Sequence, residues 1–446
     1  MNQQSVVMPR PTRAWVAVGL CALAYLLSNV DRQIIGLFVK QIEADLHLSD
    51  TQFGLLQGLA FALLYATMGI PIAVASDRTS RPLVMSLGVG VWSLATMCCG
   101  IARNFPQILL ARATVGVGEA ALSPASYSLI SDLYPREQLG RATATYSLGS
   151  FLGTTCAFLI GAGLLAALGE ASRYMVLGHV FHSWQLIFLL IGLPGLPLAL
   201  AIAVWVPEPR RSVAVQDNPR AVTFRETLAW LHDQRAIFVP HLIGYPLYAT
   251  ALYVLLGWSP AFLIRSLGFS TAQAGAWLGT VSLIAGGAGV LLAGAVVDRA
   301  IRRGRFAAPF ELGIAGACGL AFSMVVLALA PPGPLGLFGL AAALFFAAVP
   351  MAPSVTIIQM TVPAPMRSRV SALLLLGNNL IGLTCGNLAV GLLNEHVFGG
   401  AAGISLSMPL VVGAASLLSV AFLARGRAPL ARAVSATESP TLQRFK

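Results

Sequence analysis

Four ionisable residues sit where a hydrocarbon environment should exclude them. Arg112 and Glu119 fall inside an apolar run at 106–131, within the string Leu110-Ala111-Arg112-Ala113-Thr114-Val115-Gly116-Val117-Gly118-Glu119, and Asp31 and Arg32 fall inside another at 14–38. A charge at bilayer depth costs roughly 2.5–3.5 kcal/mol even on the mildest insertion scale, so such groups persist where a water-filled path or a partner charge accommodates them. Arg112 and Glu119 are two helical turns apart, which places both on one helix face about 10 Å from each other. Arg32, next to Asp31, points about 100° away from it. A carboxylate for which a guanidinium and a proton compete can carry that proton. A pair that only fixed two helices would be a costly way to pack them, which favours the proton-carrying role.

The elements that must hold these groups are membrane spans. Only 10% of the 446 residues are charged and 57% are hydrophobic, whereas a soluble domain is nearer 25% charged. Twelve apolar runs each reach the ~20 residues a bilayer needs, near 14–38, 52–75, 82–101, 106–131, 139–167, 184–206, 237–262, 271–297, 309–330, 335–361, 368–393 and 404–424. With both ends on one side, 22 of the 28 Lys/Arg lie in the segments on that side and four, Lys40, Arg103, Arg173 and Arg265, lie opposite. By the positive-inside rule both termini are expected in the cytoplasm and the chain in the cell's inner (plasma) membrane. The same asymmetry accounts for the net charge of +11 without a nucleic-acid partner.

A polar start with Arg10 and Arg13 precedes a first run long enough to span, so a retained span is expected rather than a cleaved signal. The six cysteines all fall in apolar runs and read as buried small hydrophobes, with no disulfide. His179 and His182 have a metal-like spacing but no third ligand, and no metal or cofactor is expected. No nucleophile–base pair or phosphate-binding loop appears at bilayer depth, which argues against an enzyme.

Two halves repeat. A first bundle over 1–206 and a second over 237–425 are joined by a polar linker at 207–236, which holds Pro207, Pro209, Pro219 and an amphipathic stretch at 224–231; a polar tail at 426–446 is expected to be poorly ordered. Ser76-Asp77-Arg78-Thr79-Ser80-Arg81 between runs 2 and 3 is echoed by Val297-Asp298-Arg299-Ala300-Ile301-Arg302 between runs 8 and 9. Pro135 with Gly140-Arg141-Ala142 entering run 5 is echoed by Pro363 with Ser368-Arg369-Val370 entering run 11. Two parallel six-helix repeats joined by a linker are a pattern of secondary transporters.

On these residues the chain resembles the major facilitator superfamily: Asp77-Arg78-x-x-Arg81 with its echo matches the loop signature, and Arg112-x-x-x-Gly116-x-Gly118-Glu119 the motif of the fourth helix. Asn29-Val30-Asp31-Arg32-Gln33, Leu48-Ser49-Asp50-Thr51-Gln52-Phe53-Gly54 and Gly116-Val117-Gly118-Glu119-Ala120 with Ser123-Pro124-Ala125 resemble its spinster-type branch more narrowly. The resemblance implies an all-α polytopic fold of twelve helices in two six-helix bundles. It also implies alternating access with proton-driven movement of a lysophospholipid or sphingolipid-like substrate, and a monomer among membrane lipids.

In that fold the first and fourth helices line the central cavity. Asp31 and Arg112 then come to similar depth and should pair, with Arg112 as switch or head-group partner, Asp31 and Glu119 as proton sites, and Arg32 as a possible cavity ligand. Arg78 and Arg81 should pair with Asp132, Asp77 with the start of helix 11, and Asp298, beside Arg299, with the start of helix 5, forming an inner gate whose second copy is weaker because the position matching Asp132 lies near Met360. The second half offers neutral groups, Tyr245, Tyr248 and Asn378 among them, so a cavity charged on one wall and apolar on the other would suit an amphiphile. The competing readings are a proton symporter of a small hydrophilic organic anion and a non-transporting membrane sensor.

Overall fold

A backbone in hydrocarbon has no water to bond, so each apolar run must satisfy its own N–H and C=O groups as helix. The computed structural model describes residues 11–442 apart from 135, 171, 177, 209–222, 330–332, 364–365 and 400–402. Two units emerge, one of residues up to Asn218 together with Phe269–Thr280, the other of Pro219–Gly268 and Val281–Lys446.

The first unit holds α1 (Pro11–Leu37), a short α2 (Val39–Leu46), α3 (Asp50–Gln57), α4 (Leu59–Arg78), α5 (Arg81–Ile101), α6 (Phe105–Glu119), α7 (Leu122–Leu133) and α8 (Arg136–Leu168). An antiparallel hairpin of β1 (Arg173–Val176) and β2 (His179–His182) follows, then α9 (Ser183–Gly192) and α10 (Gly195–Trp205). α1 packs along α8, and α6 lies between α4 and α5. Two helix starts carry side-chain caps: Ser49 and Gln52 form a reciprocal box at α3, and Asn104 accepts from the Gln107 amide at α6.

The second unit begins at α11 (Phe224–Asp233), the linker's amphipathic stretch, which is capped by a Thr223–Glu226 box. α12 (Arg235–Leu267) follows, then α13 (Thr271–Val281), most of which counts with the first unit, a π-helical turn at Ser282–Gly286, and α14 (Gly287–Arg302). Next come α15 (Ala308–Leu329), α16 (Pro334–Ala348), α17 (Met351–Thr361), α18 (Arg367–Gly377), a π-helical stretch at Asn378–Cys385, α19 (Gly386–His396) and α20 (Ile404–Leu442). α12 and α15 both pack on α20.

Among the described residues, eleven helical segments are long and apolar enough to cross a membrane. The fourth run is present too, but as α6 and α7, of 15 and 12 residues, divided at Ala120–Ala121. The cause is Pro124, which has no N–H to return to the Ala120 carbonyl. Large apolar side chains such as Leu110, Leu291 and Phe322 stand outward on the spans, 69–75% exposed, as lipid-facing groups do.

The polar tail departs from expectation. α20 continues without a break to Leu442, because after Pro429 its sequence, Leu430-Ala431-Arg432-Ala433-Val434, is made mostly of good helix formers. All six cysteines are free thiols; Cys98, Cys318 and Cys385 are exposed on the spans rather than buried.

Candidate functional site

α6 reaches its neighbours closely enough to build a site because two of its residues lack side chains. A β-carbon on Gly116 would stand 2.6 Å from the Phe61 carbonyl of α4, and one on Gly118 would stand 2.7 Å from both the Gly88 carbonyl and the Trp92 amide of α5. Backbone cannot yield at such distances, so these glycines set the depth at which α6 lies. The last residue of α6, Glu119, thereby arrives at α1.

Two interlaced contacts join α1 to α6. Arg32 forms an ion pair with Glu119 Oε2, and the Ser28 hydroxyl donates to the same oxygen at 2.7 Å. Ser28 and Arg32 are one helical turn apart, so α1 presents both to Glu119 from one face. The Arg32 guanidinium carbon also lies 4.4 Å from the centre of the Phe61 ring and 5.7 Å from that of Tyr65. Glu119 is 2% exposed, and its Oε1 has no hydrogen-bond partner among the described residues.

Arg112, 1% exposed, donates from Nη1 to the Asp31 backbone carbonyl at 3.0 Å. This corrects the expected carboxylate pair: the guanidinium reaches Asp31 through its main chain, and the charges are close without a direct ion pair. Asp31 Oδ1, Arg112 Nε and Arg112 Nη2 have no hydrogen-bond partner among the described residues, and the Asp31 carboxyl lies within electrostatic range of Glu119 and Arg112. The site therefore holds two carboxylates and two guanidiniums whose bonding capacity is partly unused. Such groups can trade partners, or take a proton, at small structural expense.

Sequence reasoning missed the Arg32–Glu119 pair. Its signal was present in the Ser28, Arg32 spacing, but the register of α1 against α6 is set by Gly116 and Gly118 and cannot be read from either helix alone.

The second-half candidates divide. Tyr245 and Tyr248, expected to line a cavity, are 2% and 0% exposed in the core of the second unit, and their hydroxyls donate to the Pro309 and Phe346 carbonyls at 2.8 and 2.7 Å. They are packing residues: Pro350 denies the Phe346 carbonyl its i+4 N–H, the Val349 N–H reaches it in a tighter turn at 3.1 Å, and the Tyr248 hydroxyl adds a second donor. Asn378 opens the π-helical stretch of α18–α19, half-buried, with Oδ1 lacking a partner among the described residues. π-helical insertions of this kind recur at functional sites.

At the opposite end of the first unit, Arg81 is wholly buried. Its Nη1 donates to Asp132 Oδ2 at 2.6 Å and Ser128 Oγ at 3.1 Å, while Nη2 and Nε meet Glu208 Oε1 at 2.6 and 2.9 Å. Glu208 also accepts from the Arg81 backbone amide at 2.7 Å. Asp132 was the expected partner; Glu208, just past α10, was not foreseen. Asp77 and Arg78 close α4, and their side chains lie outside the described residues. Asp298 and Arg299 are exposed on α14 and make no ion pair among the described residues. There the paired charges are instead Arg305 and Arg427, both on Glu311, at 2.7 and 3.2 Å.

Comparison with known proteins agrees with this architecture. A family model described as Major Facilitator Superfamily matches residues 21–386. A protein named MFS-type efflux pump from Mycolicibacterium smegmatis is 29% identical over 92% of this chain and 91% of its own. The D-galactonate transporter of Escherichia coli is 26% identical over 90% and 89%. Protein spinster homolog 1 of Xenopus tropicalis is 27% identical over 54% of this chain and 44% of its own, so this chain spans less than half of that relative. Among solved structures, a bacterial homolog of the human lysosomal transporter spinster, inward-facing and unoccupied, superposes with a TM-score of 0.79 at 24% identity, covering 96% of this chain and 98% of that one.

Proposed function

The chain belongs to the Major Facilitator Superfamily, and from that premise we propose that it moves an anionic amphiphile, a lysophospholipid or sphingolipid-like molecule, by proton-driven alternating access in the cell's inner membrane. The similarity to spinster proteins supports this substrate class. The observation that carries the reading is the cluster of Asp31, Arg32, Arg112 and Glu119: four charged groups in one unit, three buried and Arg32 half-buried, with an oxygen of each carboxylate left without a hydrogen-bond partner among the described residues. In this reading Asp31 takes the proton. Arg112 holds the Asp31 backbone and answers its change of charge. Protonation of Glu119 frees Arg32, the more accessible of the two arginines, for an anionic head group. Its chain would lie along neutral side chains, with Asn378 as a polar contact. Arg81, Asp132 and Glu208, with Asp77 and Arg78, serve as the inner gate; Asp298 and Arg299 form its weaker second copy.

The test is tracer uptake into proteoliposomes under an imposed pH gradient. Wild type should concentrate a labelled lysolipid. Asp31→Asn should lose gradient-driven accumulation by tenfold or more while still exchanging substrate at equilibrium, and Arg112→Ala should lose both. If Asp31→Asn accumulated substrate normally, the coupling assignment would fail.

A second reading has its own support. The D-galactonate transporter matches along nearly the whole chain, where the spinster relative matches about half of it. A small hydrophilic organic anion could use the same arginines. Competition of unlabelled galactonate against labelled lysolipid in the same vesicles separates the two.

A further inference from the structure

One membrane helix is divided between the two units. Thr271–Arg302 runs through α13, a π-helical turn and α14, yet Phe269–Thr280 belongs to the first unit and Val281 onward to the second. The π-helical turn, Ser282–Gly286, follows that division immediately. Its wider i→i+5 ring interrupts the regular ladder, and such interruptions are where helices bend. Gly286 is buried where the turn packs on α16, yet no atom lies within 4 Å of the place its β-carbon would occupy, so that side of the turn has room.

α13 is held on the first unit by two independent devices. The first is the seam of Gly275-Ala276-Trp277-Leu278-Gly279, a small-xxx-small pattern facing α8. A β-carbon on Gly275 would stand 2.9 Å from Ala162 Cβ and the Phe158 carbonyl, and one on Gly279 would stand 2.6 Å from Leu159 Cγ. The second is polar and sits at the free end of α13. Glu170 Oε1 accepts from the Thr271 amide at 3.2 Å, from the Thr271 hydroxyl, and from Gln41 Nε2 at 3.1 Å. Gln41 Nε2 donates also to Thr271 Oγ1 at 2.8 Å. The carboxylate thus meets the positive end of α13 while bonding its first residue.

Gln41 is itself fixed. One turn further along α2, Asp45 accepts from Trp184 Nε1 and lies 2.6 Å from His182 Nδ1, which ties α2 to α9 and the β-hairpin. The side of the cluster that stays with the first unit is therefore Gln41, with Glu170 just past α8, and the movable side is Thr271.

We infer that α13 is a gate arm which hinges at Ser282–Gly286 and is latched to the first unit by Glu170 and Gln41 closing on Thr271. The arm opens the end of the first unit opposite Arg81 when the latch releases. This rests on the alternating-access reading, but its test needs no substrate, so failure of one is distinguishable from failure of the other.

The reporter is Ala162→Cys, whose side chain the arm covers, read as the rate of modification by a membrane-impermeant maleimide above the background of the unsubstituted protein. Adding Glu170→Ala or Gln41→Ala should raise that rate about tenfold, the factor corresponding to about 1.4 kcal/mol of lost latch. Thr271→Ser, which keeps the hydroxyl, should leave it unchanged. Gly286→Ala, which fits without a clash but stiffens the hinge, should lower it. An unchanged rate in both latch variants overturns the proposal. Should those variants fail to fold, Gln41→Cys with Thr271→Cys joined by a short thiol crosslinker gives the second measurement: substrate exchange should stop and return on reduction, and undiminished exchange while joined overturns the latch.

Discussion

Glu119 and Arg32 show how a single residue's surroundings decide what it can do. Both carboxylate partners come from α1, and Ser28 fixes the acceptor oxygen that Arg32 engages. The guanidinium carbon then stands over the Phe61 ring with Tyr65 beside it, so ring faces as well as charge hold it. Lysine would keep the charge and lose that orientation, since an ammonium has no planar fork. Arg32→Lys should therefore fold normally and raise the KM for an anionic substrate about tenfold, an effect of about 1.4 kcal/mol within the range of a partly desolvated cation–π contact; initial-rate uptake at varied substrate checks it. A KM unchanged by the substitution would show that charge alone matters at this position. Arg112 differs in kind. It is more deeply buried and bonded to a main-chain carbonyl, so removing it should disturb α1 itself rather than substrate affinity alone.

Three helix breaks follow one rule, and the joining of helices follows another. The breaks at Ala120–Ala121, Leu193–Pro194 and Val349–Pro350 each begin four residues before a proline: Pro124, Pro197 and Pro353. The missing N–H frees the carbonyl one turn earlier, and the helix restarts there. The first two of these breaks are legible in the sequence as kinks at Pro124 and at Pro194 with Pro197, because proline acts locally. The π-helical turns at Ser282–Gly286 and Asn378–Cys385 were not, since no residue type enforces the wider turn. Joining depends on glycine. At Gly118 α6 meets α5 with the Gly88 carbonyl and the Trp92 amide each 2.7 Å from where a β-carbon would stand. Gly118→Ala should force α6 outward, lower thermal stability by about 1–3 kcal/mol as overpacking does, and carry Glu119 away from Ser28 and Arg32. Differential scanning fluorimetry in detergent checks the first effect, and loss of transport at a temperature where the protein stays folded checks the second. Retention of both would mean the α5–α6 contact is more yielding than its geometry indicates. The site charges were legible for the same reason as the spans: ionisable groups inside apolar runs stand out. Which arginine meets which carboxylate was not, because that depends on how far α6 sinks between α4 and α5.

At the scale of the molecule, charge is distributed unevenly in two senses. Asp31, Arg32, Arg112 and Glu119 all belong to the first unit, while the arginines outside the spans concentrate in alternate connecting segments of the chain. The repeat of Asp-Arg loops made the two-bundle division readable, but not the transfer of Phe269–Thr280 to the first unit, which follows from packing of Gly275 and Gly279 rather than from any boundary in the sequence. Orientation across the membrane follows from the loops. Arginine resists translocation, so the side holding Arg78, Arg81, Arg299, Arg302, Arg303, Arg305, Arg367 and Arg427 should remain cytoplasmic. The β-hairpin, reached after an odd number of spans, must then face outward, and Met175 on it is 79% exposed. Met175→Cys should react with an impermeant maleimide on intact cells. Ser435→Cys, on the last turns of α20, should react only after permeabilisation. Native Cys98, Cys318 and Cys385 lie on membrane-spanning helices and should contribute little to either signal, since a charged reagent does not enter hydrocarbon. Labelling of Ser435→Cys from outside would reverse the topology, and with it the side from which a proton reaches Asp31.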